Sequence, residues 1–309
     1  MSATLTILRP GLRTLVVDAG RPRSRGLGVP VGGAADRFAL AVGNALVGNA
    51  PDEAALEVAL AGPVLHADAP LACVVYGAPF EVRAGGRVVP AGTTFTLEEG
   101  DELSIGGTPL GMRAYLCVRG GLDTPRVLGS RSGLAPLAAG VTLPCHSGRI
   151  AGRALAEPHP MLHAGNGPAI LHTLPGAQAS WFPPEALTGV AFRVGAASDR
   201  MGLRLLAASL PVPPEMVSEP VCPGTVQVTR DGQCIVLGVD GQTIGGYPKV
   251  AQVIAADLDR LGQLRPGVEV VFREVGLDEA AFRWRQRQED LRLRLLRLEE
   301  TLALALRAP

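Results

Sequence analysis

The side chains able to do chemistry in this chain gather in glycine-rich turns. Asp18-Ala19-Gly20-Arg21, Gly32-Gly33-Ala34-Ala35-Asp36-Arg37, Ser130-Arg131-Ser132, Ser198-Asp199-Arg200 and Gln242-Thr243-Ile244-Gly245-Gly246-Tyr247 are the main ones. Arginine offers a planar fork to a carboxylate or carbamate, and glycine lets backbone N–H groups approach an oxyanion. The chemistry these turns could perform is recognition of a small acid. The same patterns also serve structure, because Asp-Arg before a helix is an N-cap with a surface pair and Gly-Gly-Tyr-Pro leads into a helix. On residue types alone the two readings stand level.

Other chemistries find less support. Cys145, His146, His159, His163 and His172 lie close together in the sequence and raise the question of zinc. Pro158 and Pro160 break the helix that the His159/His163 spacing needs, and no matching carboxylate or second cysteine pair completes a ligand set. No metal is expected. Gly129-Ser130-Arg131-Ser132-Gly133 resembles a nucleophile elbow only superficially, since no helix pattern follows it. Neither a P-loop nor GxGxxG occurs, so the chain carries no nucleotide-binding motif of its own.

The elements that must position these turns follow from composition. Over 309 residues, 29 basic and 29 acidic side chains cancel, which argues against a nucleic-acid partner. Lys249 is the single lysine, so nearly all positive charge is arginine. No apolar run reaches membrane-span length and the N-terminus lacks signal-peptide character. The five cysteines form no CxxC and read as reduced core thiols of a cytoplasmic protein. The 39 glycines and 26 prolines are spread evenly between short Val/Leu/Ile runs, which predicts many short strands and disfavours a helical bundle.

Strands are predicted over Leu12–Val17, Leu71–Tyr76, Phe80–Arg83, Thr93–Leu97, Glu102–Ile105 and Arg113–Val118. They resume at Ala169–Thr173, Ala191–Val194, Thr225–Thr229, Cys234–Val239 and Glu269–Glu274. Helices are predicted over Asp36–Val47 and Tyr247–Gln263. Gly32-Gly33-Ala34-Ala35-Asp36-Arg37 lines up with Gly195-Ala196-Ala197-Ser198-Asp199-Arg200, and Leu97–Leu103 lines up with Leu264–Val270. Two matches in the same order indicate a tandem of related β-rich domains, 1–155 and 156–276, with a helical tail over 277–309. In that tail Leu291, Leu295, Leu298 and Leu302 form a narrow seam, either against the chain's own domain or against a partner.

Five colinear stretches carry a resemblance to a known family. They are Arg21 to Leu65, Tyr115 to Ser132, Leu174 to Phe182 (LPGAQASWF), Ser198 to Leu205 (SDRMGLRL) and Gly241 to Ile254 (GQTIGGYPKVAQVI). Together they resemble the allophanate hydrolase subunit 2, or biotin-dependent carboxyltransferase-like, family. The resemblance implies a mainly β fold of tandem cyclophilin-like β-barrel domains, here with an added C-terminal amphipathic helix. It implies the role of the C component in a hetero-oligomeric, ATP-dependent 5-oxoprolinase that opens 5-oxoproline to glutamate. Such a component is inactive alone and works with a B-like partner (allophanate hydrolase subunit 1 family) and an A-like partner. ATP would be used by the complex rather than bound by this chain. The alternatives are a carboxyltransferase acting on a urea-like amide, with biotin brought by another chain, and a non-enzymatic antagonist of a kinase inhibitor. Carried over residue by residue, the resemblance marks Arg21, Asp36, Arg37, Asn44, Glu57, Ser130, Arg131, Ser132, Asp199, Arg200, Gln242, Thr243 and Tyr247 as substrate-binding or interface candidates. It assigns no catalytic residue. Gly241 stands where the family often has a basic or imidazole side chain.

Overall fold

The computed structural model describes residues 2–155, 159–162, 167–207, 210–211, 214 and 216–307, with backbone alone for 303–307. The chain divides into two compact units. One comprises Met1–Gly20, Gly32–Leu162 and Asp290–Pro309, and the other Arg21–Val31 and His163–Glu289.

In the first unit the strands are β1 (Ser2–Arg9), β2 (Arg13–Val17), β3 (Ala55–Ala59), β4 (Val64–Ala67), β5 (Leu71–Gly77) and β6 (Val82–Ala84). They continue with β7 (Arg87–Val89), β8 (Thr94–Leu97), β9 (Glu102–Ile105), β10 (Arg113–Val118) and β11 (Thr142–His146). They form two sheets, ordered β11-β1-β4-β9-β6-β7 and β2-β3-β10-β5-β8. Side chains alternate across a strand, so β10 serves two cores at once. Ala114, Leu116 and Val118 join Leu5, Ile7 and Leu65 in the core shared by the sheets. Tyr115 and Cys117 point the other way, against Phe38 and Val42 of helix α1 (Arg37–Val47). Burial on both faces explains why β5 and β10 read as unbroken apolar runs.

The second unit closes. Its strands are β12 (Ala169–Pro175), β13 (Ala191–Val194), β14 (Gly202–Leu206), β15 (Glu219–Pro220) and β16 (Thr225–Val228). Then come β17 (Cys234–Leu237), β18 (Ile244–Gly245), β19 (Lys249–Val253) and β20 (Glu269–Glu274). Seven of them make a barrel in the order β12-β19-β16-β17-β14-β13-β20, shut by the parallel pair β12/β20. β15 and β18 form a separate two-stranded ribbon. The fold is therefore mainly β with few helices, as the turn-rich composition predicts.

One predicted helix is replaced. Tyr247–Gln263 holds β19, then a 3-10 turn (Ala255–Asp257) and the short α3 (Leu258–Leu261), which comes after α2 (Glu185–Thr188) in chain order. Val250, Val253 and Ile254 are β-branched, and β19 pairs with both β12 and β16 as an interior barrel strand. Barrel closure outweighs the helical spacing that the sequence shows there. The tail forms α4 (Leu277–Arg307). Leu291 and Leu298 pack against the α1 cluster, and the Arg294 guanidinium lies 5.5 Å from the centre of the Phe38 ring. The leucine seam thus covers its own unit. No helix among the described residues is long and apolar enough to cross a membrane.

Candidate functional site

The first unit gathers its candidates into closed polar networks. Asp18, at the end of β2, takes hydrogen bonds from the Ser130 hydroxyl (2.6 Å), the Ser132 hydroxyl (2.6 Å), the Arg131 N–H (2.6 Å) and the Gly20 N–H (2.8 Å). Burial works to raise the Asp18 carboxyl, but these four donors outweigh it and hold the group below its ordinary value. Both serine hydroxyls are therefore spent on a carboxylate that fixes their loop. Gly33 has φ 77°, and an added Cβ would sit 2.7 Å from the Gly20 nitrogen, so this turn requires glycine.

A second network runs through Tyr115. Its hydroxyl donates to Glu57 Oε2 at 2.8 Å and accepts from the Asp36 N–H at 2.8 Å. Glu57 also pairs with Arg113 at 3.2 Å and takes the Ala35 N–H at 2.9 Å. Burial, together with the Glu57 and Asp36 charges, pushes the Tyr115 phenol well above its ordinary value. Asp36 caps α1 by accepting the Ala39 N–H at 2.9 Å, and its other oxygen meets His159 Nε2 at 2.6 Å. His159 Nδ1 accepts the Met161 N–H at 3.0 Å, so in the neutral ring Nε2 carries the proton and donates. Tyr76 stacks on the same imidazole at 5.7 Å between ring centres. Asn44 donates to the Glu53 carbonyl and accepts from Asn49, bracing the end of α1. Arg37 alone of this group faces outward, donating to the Ala19 carbonyl at 3.1 Å.

The histidines raised for zinc are dispersed. His159 is bound to Asp36 and His172 to Asp257 at 2.8 Å, while His163 lies outside the described residues. Among the described residues no three His, Cys, Asp or Glu side chains form a group that could hold a metal.

The second unit holds an open cleft of about 400 Å³. Pro175, Gly176, Ala177, Pro220, Val221 and Ala251 give it an apolar wall, and Arg25, Cys222, Thr225, Lys249 and Gln252 supply its polar groups. Lys249 begins β19, and its ammonium pairs with Glu219 on β15. That bond is the leading reason the Glu219 carboxyl stays below its ordinary value. Gln178 clamps the lysine backbone: its Oε1 accepts the Lys249 N–H at 3.0 Å, and its own N–H donates to the Lys249 carbonyl at 3.0 Å. Gly176 permits this approach, because a Cβ there would lie 2.1 Å from the Lys249 carbonyl oxygen. Elsewhere in the lining Thr225 donates to Gln252 Oε1 at 2.9 Å, and Gln252 donates to the Pro223 and Val253 carbonyls. Cys222 is exposed, unlike the other four cysteines. It corrects the reading of all five as core thiols.

None of the sequence candidates of this unit lines the cleft. Glu219 pairs with Gly245 across the β15/β18 ribbon, and the Thr243 carbonyl accepts the Val221 N–H at 3.0 Å. The Tyr247 carbonyl accepts from Gln227 at 3.2 Å, and Gln242 approaches the same Gln227 at 3.5 Å. Arg200 is 2% exposed and grips Asp240 with two bonds of 2.7 and 2.8 Å. Its neighbour Asp199 closes the turn by accepting the Met201 and Gly202 N–H groups. Arg21, also buried, donates its backbone N–H to the Val31 carbonyl at 2.7 Å. Sequence reasoning passed over Arg25, Gln178, Glu219, Cys222, Thr225, Lys249 and Gln252. Two signals were available, the uniqueness of Lys249 and its place in the Gly-Gly-Tyr-Pro-Lys stretch.

Residues 27–274 match the family described as carboxyltransferase domain, subdomain A and B. The chain belongs to this family. It is 34% identical over 302 residues to the C subunit of 5-oxoprolinase from Haemophilus influenzae, covering 90% of this chain and 93% of that one. The crystal structure of the protein TTHA0988 is 37% identical with a TM-score of 0.80, covering 88% of this chain and 56% of that longer one. The Kluyveromyces lactis urea amidolyase is 26% identical with a TM-score of 0.83, covering 93% of this chain and 20% of that chain. The family match encloses β12, β15, β16 and β19, which frame the Lys249 cleft.

Proposed function

We propose that this chain is the C subunit of an ATP-dependent 5-oxoprolinase and that the Lys249 cleft holds the lactam. The observation that carries the reading is the placement of the single lysine, clamped through its backbone by Gln178 and paired with Glu219 beside an apolar wall. Its similarity to the C subunit of a 5-oxoprolinase, at nearly full length on both sides, supports the same reading. Opening 5-oxoproline to glutamate breaks the ring C–N bond, and negative charge grows on the carbonyl oxygen as the bond is activated. An ammonium fixed beside that oxygen stabilises the charge without reorganising. ATP and the groups that handle it belong to other chains, a B-like and an A-like subunit. This chain alone turns nothing over. A cytoplasmic setting accords with five free thiols.

The test is ATP-dependent glutamate release from 5-oxoproline by purified A, B and C components. Turnover should vanish when this chain is omitted, and undiminished turnover without it sinks the reading. A second reading draws on the likeness to urea amidolyase: transfer of a carboxyl group to a urea-like amide, with biotin carried by another chain. Bicarbonate- and biotin-dependent consumption of urea in the same assembly would favour it.

A further inference from the structure

Regular alternation along β19 would turn Lys249 away from the cleft. Ala251 and Val253 lie in the barrel core, and on a regular strand the residue two positions earlier shares their face. The register with β16 breaks that rule. Val226 stands opposite Ala251, but the next residue, Gln227, stands opposite Lys249. Val250 is therefore the extra residue of a β-bulge, and it carries Lys249 over to the other face. Thr225, which stands opposite Gln252, is two residues from Gln227 and shares its face. Lys249, Gln252 and Thr225 thus lie on one side, and all three line the cleft.

A bulge has to be held, because its main-chain groups leave the regular ladder. Pairing with β12 stops at Pro175, opposite Ala251. Beyond it Gly176 donates to the Val250 carbonyl at 3.0 Å, and Gln178 takes both main-chain groups of Lys249, each at 3.0 Å. The other end of the Gln178 amide, Nε2, donates at 3.3 Å to Glu219 Oε2, the oxygen that also meets the Lys249 ammonium. One buried side chain thus joins the main chain of Lys249 to its counter-ion. The task needs an acceptor and a donor on a single planar group, which glutamine supplies and an ionised glutamate does not.

We propose that Gln178 is the positioning residue of Lys249. It holds the bulge with one end of its amide and Glu219 with the other, so the ammonium is presented to the cleft at one fixed place. The effect on turnover rests on the reading of the Lys249 cleft as the substrate site; the effect on the lysine itself does not.

Lys249 is the single lysine, so acetylation of its amine by an N-hydroxysuccinimide ester can be followed by mass spectrometry with no other lysine competing. The reagent attacks the uncharged amine, and a carboxylate held against the ammonium slows it. In the full-length chain Gln178→Met should speed acetylation of Lys249 about fivefold or more, the loss of hydrogen bonds worth that factor. Gln178→Asn keeps the amide but shortens its reach, and should act in the same direction by less. Glu219→Gln, at a position 43% exposed, should speed the reaction too. Alkylation of the exposed Cys222 by iodoacetamide should stay unchanged in all three, and the four buried cysteines should stay unreactive wherever the chain is folded. In the assembled enzyme Gln178→Met should lower kcat about tenfold or more while KM barely moves. Unchanged acetylation in a folded Gln178 variant, or in Glu219→Gln, overturns the proposal. Equal acceleration at Cys222 and Lys249 also overturns it, because the cleft would merely have opened. Should Gln178→Met expose the buried cysteines, Gln178→Asn and Glu219→Gln carry the decision. Faster acetylation with an unchanged kcat keeps Gln178 as the anchor of Lys249 and removes the cleft as the substrate site.

Discussion

The two units carry the same Asp-Arg pair at matching points of the internal repeat and turn it opposite ways. In the first, Asp36 is fully buried against His159 while Arg37 lies at the surface. In the second, Asp199 is exposed and Arg200 is buried against Asp240. Asp36 and Asp199 both accept backbone N–H groups of the following turn, so the shared requirement is a turn-capping carboxylate. What the arginine does is left to its surroundings. The units differ further in what they leave open. Asp18, Asp36 and Glu57 each bond several partners inside the first unit, whereas the second adds an open cleft lined by Arg25 and Lys249. Satisfied networks hold a fold together; an open cleft with an apolar wall and a few placed polar groups is where a small ligand fits.

The widest gap between the arginines should appear in stability. Arg200→Ala strands the Asp240 carboxylate in a buried position, which costs about 3–5 kcal/mol. Thermal and urea unfolding would measure it. A loss below about 1 kcal/mol would mean that Asp240 finds water or another donor, and that the Arg200 pair is no more structural than a surface one. Lys249→Met should behave inversely. Its pair with a Glu219 carboxylate that is 43% exposed contributes about 0–1 kcal/mol to stability, so unfolding barely moves. In the assembled enzyme kcat should fall about 10²–10³-fold, the usual result of removing one fixed donor at a developing oxyanion. If kcat holds and unfolding shifts, Lys249 belongs with Arg200 as part of the scaffold.

Much of the fold was legible in the sequence because strand signals are local. Glu102–Ile105, Arg113–Val118, Ala191–Val194 and Glu269–Glu274 are bounded as their turn residues predict. α1 was legible too, through Asp36 at its start and Gly48 at its end. The reading failed at β19, where pairing with strands distant in sequence decides the conformation and no local pattern reports it. The site was legible only as a neighbourhood. Thr243 and Tyr247 stand in the segment that borders the cleft at Val221 and Lys249, but whether a polar side chain in such a turn faces a cavity or caps a backbone depends on tertiary packing. Arg21 and Arg25 illustrate it: one turn holds both, and only the second lines the cleft.

Asp18 tests the closed network at smaller scale, with pH as the lever. Its folded carboxyl lies below the ordinary value of about 3.9, so the stability it contributes is present above that pH and is lost as pH falls through the folded value. Asp18→Asn keeps the shape, surrenders the charge, and should cost about 1.5–3 kcal/mol at neutral pH. Urea unfolding of both proteins at about pH 7 and about pH 3 should show the difference shrinking at the lower pH. A difference independent of pH would assign the effect to shape rather than to the ionised carboxylate.

Arg37→Ala is the smallest effect and the sharpest check on the Asp-Arg comparison. The exposed guanidinium donates to the Ala19 carbonyl, and the Asp36 that precedes it is held by Ala39 and His159. Truncation should therefore change stability by no more than about 0.5 kcal/mol, in the range of ordinary surface substitutions. An unchanged unfolding midpoint together with unchanged turnover in the assembled enzyme leaves Arg37 as a surface residue. A normal midpoint with weakened assembly, read by light scattering of the mixed components, would instead make Arg37 an interface residue. The exposed arginine of the first unit would then face a partner chain, while the corresponding buried one in the second faces its own carboxylate.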